Sequence, residues 1–385
     1  MAARVYPVAK EGNSKLMRTL TTFVLLFCTI TGFSRDVLGL RGSPKRDSLR
    51  RYHNTVDTNF IRKYPDRFIV TLSQSYRQYD LRFSQTMFSD TLGIGAPKMI
   101  ADGNSVTGIS IDFDKISFCF GIRSVPPSDT VVAQRGKTKY STYSLSFALY
   151  RFRFESSFRK YTGFYDIKTA AYDTNITHNG GIYYQNPSMT VRSLRVKTLF
   201  VFNKRKFSYS SAYFNTQRQL KTAGSLLGVS NLYDYNFYSD TSLIPPASRP
   251  FYGQYGMMNQ YRVQGISIGP GYSFNLVLFK TLYLNLTLTS GFDFQHRNIR
   301  TFDNSFSSKH WRVGAAGDFR SALGLNGKRM FLSVTYRIDY NSYINEGMHI
   351  EPRYHSVDFN FGYRFKMRRG RLYKKLNENK WYQLI

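Results

Sequence analysis

The alternation of apolar and polar residues is clearest between residues 330 and 341. Leu332, Val334, Tyr336, Ile338 and Tyr340 share one parity; Ser333, Thr335, Arg337, Asp339 and Asn341 share the other. A strand sends successive side chains to opposite faces. This segment therefore has one greasy face and one polar, charged face. At about 3.3 Å per residue, such a run crosses a bilayer core when tilted. The same pattern recurs along the chain. It predicts strands over 68–79, 106–113, 116–123, 139–151, 152–165, 189–202, 207–215, 261–279, 282–299, 310–325, 330–344 and 354–365. Residues 81–88 either extend the first strand or cap it.

The connections sharpen the picture. Tight turns are predicted at 112–115, near Arg151, and at 203–206, 279–281 and 326–329. Long connections fall near 80–105, 124–138, 166–188, 216–260, 300–309 and 345–353. Short and long alternate, as they do in outer-membrane barrels with periplasmic turns and extracellular loops. A soluble β-sandwich has no reason to alternate so. The fold class is therefore all-β: a closed antiparallel transmembrane β-barrel of about twelve strands, with both ends in the periplasm. The 216–260 stretch is the longest predicted loop. It holds Pro245, Pro246 and Pro250 together with Tyr233, Tyr235, Phe237 and Tyr238. Either it folds over or into the mouth, or it lies on the rim.

Parity then sorts side chains. Leu145, Phe147, Leu149, Leu194, Val196, Phe200, Ile266, Ile268, Tyr272, Phe274 and Leu276 are assigned to lipid. Leu282, Leu284, Leu286, Leu288, Phe292, Val357, Phe359, Phe361 and Tyr363 join them. The charged residues have the opposite parity. An Arg or Lys on the lipid face costs about 2–4 kcal/mol at the midplane, so these must point inward. The candidate site is a lumen ion-pair network of Arg153, Glu155, Arg195, Lys197, Asp318, Arg320, Arg337, Asp339, Asp358 and Arg364. Arg159, Asp293 and Arg312 have the same parity. Within the network, a ladder is expected through Arg320, Arg337, Asp339, Asp358 and Arg364. Such a set either fills the bore structurally or lines a narrow, slightly anion-preferring pore.

Composition agrees with this reading. Aromatic residues make up 17% of the 385, with 30 Tyr and 32 Phe, as girdled barrel strands require. A mean hydropathy of −0.38 excludes a polytopic helical protein. The net charge of +30 points to an anionic partner. With the basic residues spread among aromatic strands and no basic helix, lipid phosphate is preferred and no nucleic acid is expected. The expected partners are membrane lipids, lipopolysaccharide and the barrel-assembly machinery.

Residues 20–30 form an apolar run of signal-peptide length. Lys15 and Arg18 precede it, and Gly32 and Ser34 suit cleavage after Ser34. Met17 is a better start than Met1. The expected organisation is a signal peptide at 1–34, a periplasmic segment at 35–66, the barrel at 67–366 and a basic periplasmic tail at 367–385. Cys28 falls in the leader, leaving Cys119 as a lone thiol between Phe118 and Phe120, an inert small residue facing the interior. There is no disulfide framework and no cysteine metal site.

From Asp57 to Val70 the chain reads DTNFIRKYPDRFIV. This segment resembles the opening of an uncharacterised family of outer-membrane barrels from the Bacteroides group of Gram-negative bacteria. The resemblance continues as strand–turn–strand units to Phe365. It implies a cell outer membrane location and the barrel fold, and carries no catalytic residues.

Signals of catalysis are thin. His53, His178, His296, His310, His349 and His355 include no H-E-x-x-H and no paired metal spacing. His310 and the His355–Ser356 pair invite comparison with outer-membrane phospholipases. Neighbours on a strand point to opposite faces, so His355 and Ser356 cannot form a dyad with each other. No catalytic, cofactor-binding or metal-binding residue is assigned. The expected function is a structural barrel or a narrow or plugged pore for small solutes. The alternatives are a lipid-modifying enzyme and a loop-mediated binding or scaffold protein.

Overall fold

A computed structural model describes residues 56–64, 67–85, 93–113, 116–149, 151–173 and 181–366. The expected leader, most of the segment at 35–66 and the tail at 367–385 lie outside the described residues.

Twelve long strands form one ring. They are β1 (Arg67–Gln85), β2 (Lys98–Phe113), β3 (Ile116–Arg123), β4 (Lys139–Leu149), β5 (Phe152–Asp166) and β6 (Tyr184–Val201). The ring continues with β7 (Ala223–Tyr238), β8 (Met258–Leu278), β9 (Leu282–Thr301), β10 (Ser307–Asn326), β11 (Met330–Asn341) and β12 (Met348–Lys366). Each pairs antiparallel with the next. β12 closes the ring on β1, from Met348 opposite Gln85 to Lys366 opposite Arg67. Closure leaves no long sheet edge unpaired, which a bilayer core demands.

The outer face carries the predicted apolar side chains. Leu288 is 62% exposed, Phe292 73% and Phe359 57%. Leu72, Ile109, Phe118, Leu145, Leu286, Leu323, Leu332 and Phe361 are also exposed on the outer face. Exposed apolar surface on this scale is matched to lipid and not to water. A closed antiparallel barrel of even strand number with an apolar outer band is the bacterial outer-membrane architecture. The protein is an outer-membrane β-barrel.

The wall has one irregular stretch. β3 and β4 stop short, and above them β2 pairs directly with β5 at Met99–Asp166 and Ile100–Tyr165. The connection that would have filled the gap holds a short helix, α1 (Asp129–Arg135), whose Val131 amide donates to Ser128 Oγ at 3.4 Å. Register on β5 shifts between Thr162 and Phe164. The intervening Gly163 has φ +87°, and a Cβ there would sit 2.3 Å from the Lys137 carbonyl oxygen, so only glycine fits.

Two sequence expectations are corrected. Residues 207–215 are not a wall strand: they turn into the bore and carry a short helix, α2 (Ser210–Tyr213). The predicted turn at 203–206 does form, with the Phe207 amide bonded to the Asn203 carbonyl at 2.9 Å, but it leads inward. Conversely, the predicted loop at 216–260 contains a full wall strand, β7, paired with β6 and β8. The ring keeps the expected twelve strands because the stretch that enters the bore is offset by β7. What remains of that loop, residues 239–257, carries a 3-10 segment at Pro246–Tyr255.

Candidate functional site

Among the described residues, chemistry-bearing side chains converge in the bore, and it is filled in three storeys. The storey at the short-turn end is built by residues 202–222, between β6 and β7. Phe207, Ser208, Tyr209, Ser211, Ala212, Asn215, Thr216, Arg218 and Gln219 are all buried there. This plug is polar and tied to the wall by hydrogen bonds. Asn275 Nδ2 donates to the Ser208 carbonyl at 3.1 Å, and Tyr213 OH donates to Asn285 Oδ1 at 2.5 Å. Arg364 donates to the Asn215 carbonyl at 3.0 and 2.9 Å, to Asn326 Oδ1 at 2.7 Å and to the Gly327 carbonyl at 2.8 Å. Arg218 donates to the Lys280 carbonyl at 2.7 Å, gripping the β8–β9 turn. Just ahead of β1, Ile61–Lys63 pairs as a short strand with Gln217–Gln219 of the plug.

The middle storey is charged. Asp318 and Asp339 sit opposite each other on β10 and β11. Two carboxylates so placed repel unless cations intervene, and three strands supply them. Arg195 on β6 reaches both, at 3.3 Å from Asp318 and 3.1 Å from Asp339. Lys197 Nζ lies 2.7 Å from both Asp318 oxygens. Arg159 on β5 reaches Asp339 at 2.9 Å. Arg320 joins Asp318 at 3.4 Å to Glu155 at 2.7 Å, and its guanidinium also donates to Tyr209 OH of the plug at 2.8 Å.

The other residues of the expected network stand apart. Asp358 pairs with Arg77 at 3.7 Å and accepts from the Ser75 hydroxyl. Arg153 donates to Ser146 Oγ at 2.7 Å and stacks on the Phe214 ring at 3.4 Å, and among the described residues no carboxylate lies in ion-pair range. Arg364 belongs to the turn-end storey, where it donates to carbonyl oxygens and lies over the Tyr64 and Phe331 rings at 4.7 and 4.9 Å. The ladder through Arg320, Arg337, Asp339, Asp358 and Arg364 is therefore not continuous, because Asp339 is served from β5 and β6 across the bore. Arg337 lies beside Arg320 and Ser356 in register. Among the described residues no hydrogen bond or ion pair reaches its guanidinium. Arg312 is at the outer rim, about half exposed, 3.4 Å from Glu346. Asp293 is buried and accepts from Tyr233 OH at 2.6 Å.

Between the plug and the wall lies a cavity of about 200 Å³. Ser73, Ser110, Cys119, Thr142, Ser144, Ser157 and Ser356 line it with Arg77, Arg159, Arg320 and Arg337. A smaller one of about 70 Å³ adjoins Glu155 and Lys197 and shares Arg159, Arg320 and Arg337. Among the described residues, seven cations (Arg77, Arg153, Arg159, Arg195, Lys197, Arg320, Arg337) face this part of the bore, against five carboxylates (Asp112, Glu155, Asp318, Asp339, Asp358).

The storey at the loop end is apolar. Tyr79, Leu81, Phe83, Tyr161, Phe164, Tyr233, Tyr235, Phe237 and Tyr261 pack inward from the wall, and Leu243, Ile244, Tyr252 and Tyr255 of the 239–257 segment cover them. Tyr252 OH donates to the Gly95 carbonyl, and Ser248 Oγ donates to the Ile94 carbonyl at 2.6 Å. The segment is thereby fastened to the β1–β2 connection.

The histidines separate. Ser356 faces the bore and donates to Asp358 Oδ2 at 3.2 Å, whereas His355 faces outward, 3.4 Å from Tyr336 OH. His310 makes a different set near the loop end. Its Nδ1 is 3.1 Å from Ser308 Oγ and its Nε2 is 3.2 Å from Asn345 Oδ1. Asn345 Nδ2 donates to Tyr261 OH at 3.4 Å, and its Oδ1 accepts from Arg297 Nη1 at 3.0 Å. With Oδ1 fixed as an acceptor, His310 Nε2 carries the proton and Nδ1 offers a lone pair to the Ser308 hydroxyl. Ser308 and Asn345 escaped sequence reasoning because neither sits in a motif. Only the two-residue spacing of Ser308 and His310, which puts both on one strand face, was available as a signal.

Comparisons with solved structures return outer-membrane proteins at low similarity. The outer membrane protease OmpT from Escherichia coli superposes with a TM-score of 0.37 at 10% identity, over 79% of this chain and 98% of that one. An outer membrane channel from Pseudomonas putida F1 gives 0.35 at 12% identity, over 80% and 99%. Ail, the attachment invasion locus protein of Yersinia pestis, gives 0.23 at 7%, over 76% and 98%. No curated protein sequence matches the chain. The family model described as a domain of unknown function, DUF4421, matches residues 55–365. That span takes in every barrel strand but the last residue of β12, and the chain belongs to this family.

Proposed function

We propose that the protein is a barrel closed to solute flow in its resting state, with a structural or gated role in the outer membrane. One observation carries this reading: the bore is occupied at both ends, by the hydrogen-bonded plug of residues 202–222 and by the aromatic storey under residues 239–257. An open porin needs a continuous aqueous lumen. The test is planar-bilayer conductance. The intact protein should be silent, and replacement of residues 204–219 by a short Gly-Ser linker, together with removal of 243–255, should give steady current. Porin-like current from the intact protein overturns the reading.

A second reading, hydrolysis of a lipid or other ester at the loop end, is favoured by Ser308, His310 and Asn345. A hydroxyl, a lone-pair base and an orienting acceptor stand in nucleophile–base–orienter order. Labelling of Ser308 by a fluorophosphonate, lost in His310→Ala, supports it. A folded barrel that leaves the probe unreacted removes it.

A further inference from the structure

We propose that the cavity between plug and wall is a binding site for one small oxyanion of the phosphate or sulfate type, with Arg337 as its principal anchor. The first argument is Arg337 itself. Its side chain is half-buried and lines the cavity, and among the described residues no hydrogen bond or ion pair reaches the guanidinium, so its paired N–H groups are free to take an acceptor there. The carboxylates that feel its field, Glu155 and Asp339, are already held by Arg320 and by Arg159 with Arg195. The second argument is charge balance: the cations facing this part of the bore outnumber the carboxylates by two, seven against five. Low local dielectric makes such an excess costly, and one bound anion relieves it.

The third argument is chemistry and size. The lining is rich in hydroxyls, including Ser144, Ser157 and Ser356, which donate to oxyanion oxygens while the guanidinium fork supplies paired N–H groups. A single water needs about 10–15 Å³ of such space; the cavity has about 200 Å³, enough for a hydrated oxyanion and too little for a lipid. Arg337 also lines the adjoining smaller cavity, so its head group has room on both sides.

The test refolds the full chain from urea into detergent micelles in phosphate-free buffer with radiolabelled inorganic phosphate, then removes free label. Retention of about one phosphate per barrel, displaced by sulfate, is the expected result. Arg337→Gln should weaken retention at least tenfold while the barrel keeps its heat-dependent shift in electrophoretic mobility. If Arg337→Gln does not fold, Arg337→Lys serves: it keeps the charge, loses the fork, and should weaken binding about fivefold. A folded wild-type barrel that retains no phosphate overturns the proposal, as does undiminished retention in a folded Arg337 variant. Retention of a short-chain phosphatidate but not of inorganic phosphate also overturns it, since the site would then be a lipid groove.

Discussion

The two halves of the bore are closed by opposite means. Toward the loop end, rings from six or more strands meet Leu243, Ile244, Tyr252 and Tyr255, and the contact is largely apolar. Toward the turn end, plug and belt are held by directed polar bonds: Arg364 to carbonyls, Arg320 to Glu155 and Tyr209, and Arg195 to two aspartates. Apolar packing is tolerant of small shifts and indifferent to salt. A buried polar network holds one arrangement and penalises any missing member. The seal at one end is thus graded, and the seal at the other is all-or-none.

The largest losses should be of similar size, one in each half. Asp339→Leu leaves Arg159 and Arg195 buried without their shared carboxylate, and should cost about 3–5 kcal/mol in urea unfolding. Arg337→Leu strands no partner and should cost under about 1 kcal/mol. Equal losses for the two would mean that Arg337 is paired after all. In the apolar half, Phe237→Ala removes a ring packed near Tyr235 and Tyr261, with centroids 6.4 and 6.0 Å away. About 3–5 kcal/mol should be lost, by the same amount in low and high salt. Next comes Arg364→Met, expected to cost about 2–3 kcal/mol through unmet acceptors and to let the plug fluctuate, seen as flickering current. A silent, fully stable Arg364→Met would show that the plug is held elsewhere.

One change should be a modest gain. Phe279 and Lys280 both have positive φ, 52° and 57°, in the β8–β9 turn. Replacing them by Asn-Gly, which tolerates that geometry, should add about 1 kcal/mol. Since Arg218 binds the Lys280 main-chain carbonyl, the plug should be undisturbed by the exchange.

The contrast between the halves also explains what the sequence could show. Where the bore is charged, as beside β11, wall strands read cleanly as greasy outside and polar inside. β7 inverts that rule at its upper end. Tyr233, Tyr235 and Phe237 point into an apolar interior, while Asp234 faces outward and pairs with Arg262 at 2.6 Å. With its aromatics inside, the strand looked like an aromatic loop. Residues 207–215 misled in the opposite sense. Phe207, Tyr209 and Tyr213 alternate with small polar residues because they pack between bore walls, and alternation alone does not distinguish that from lipid. The inward parity of the charges was legible. Their partners were not, because Arg159 and Asp339 are 180 residues apart and meet across the bore.

The plug lies in the middle of the chain, covalently continuous with β6 and β7, and this fixes the order in which the molecule can assemble. Many of its wall contacts, through Asn275, Asn285, Thr287 and Asn326, fall on the strands that follow it closely. These contacts join residues 67 to 115 positions apart, closing smaller loops than the seam does, and can form on an open arc. The β1–β12 seam joins the most distant strands of the ring and cannot close before the plug is laid down, since a closed ring would shut it out. Refolding should therefore show a fast phase for the β6–β10 arc and a slow final phase for the seam, with Arg364 on β12 locking the plug as that phase ends.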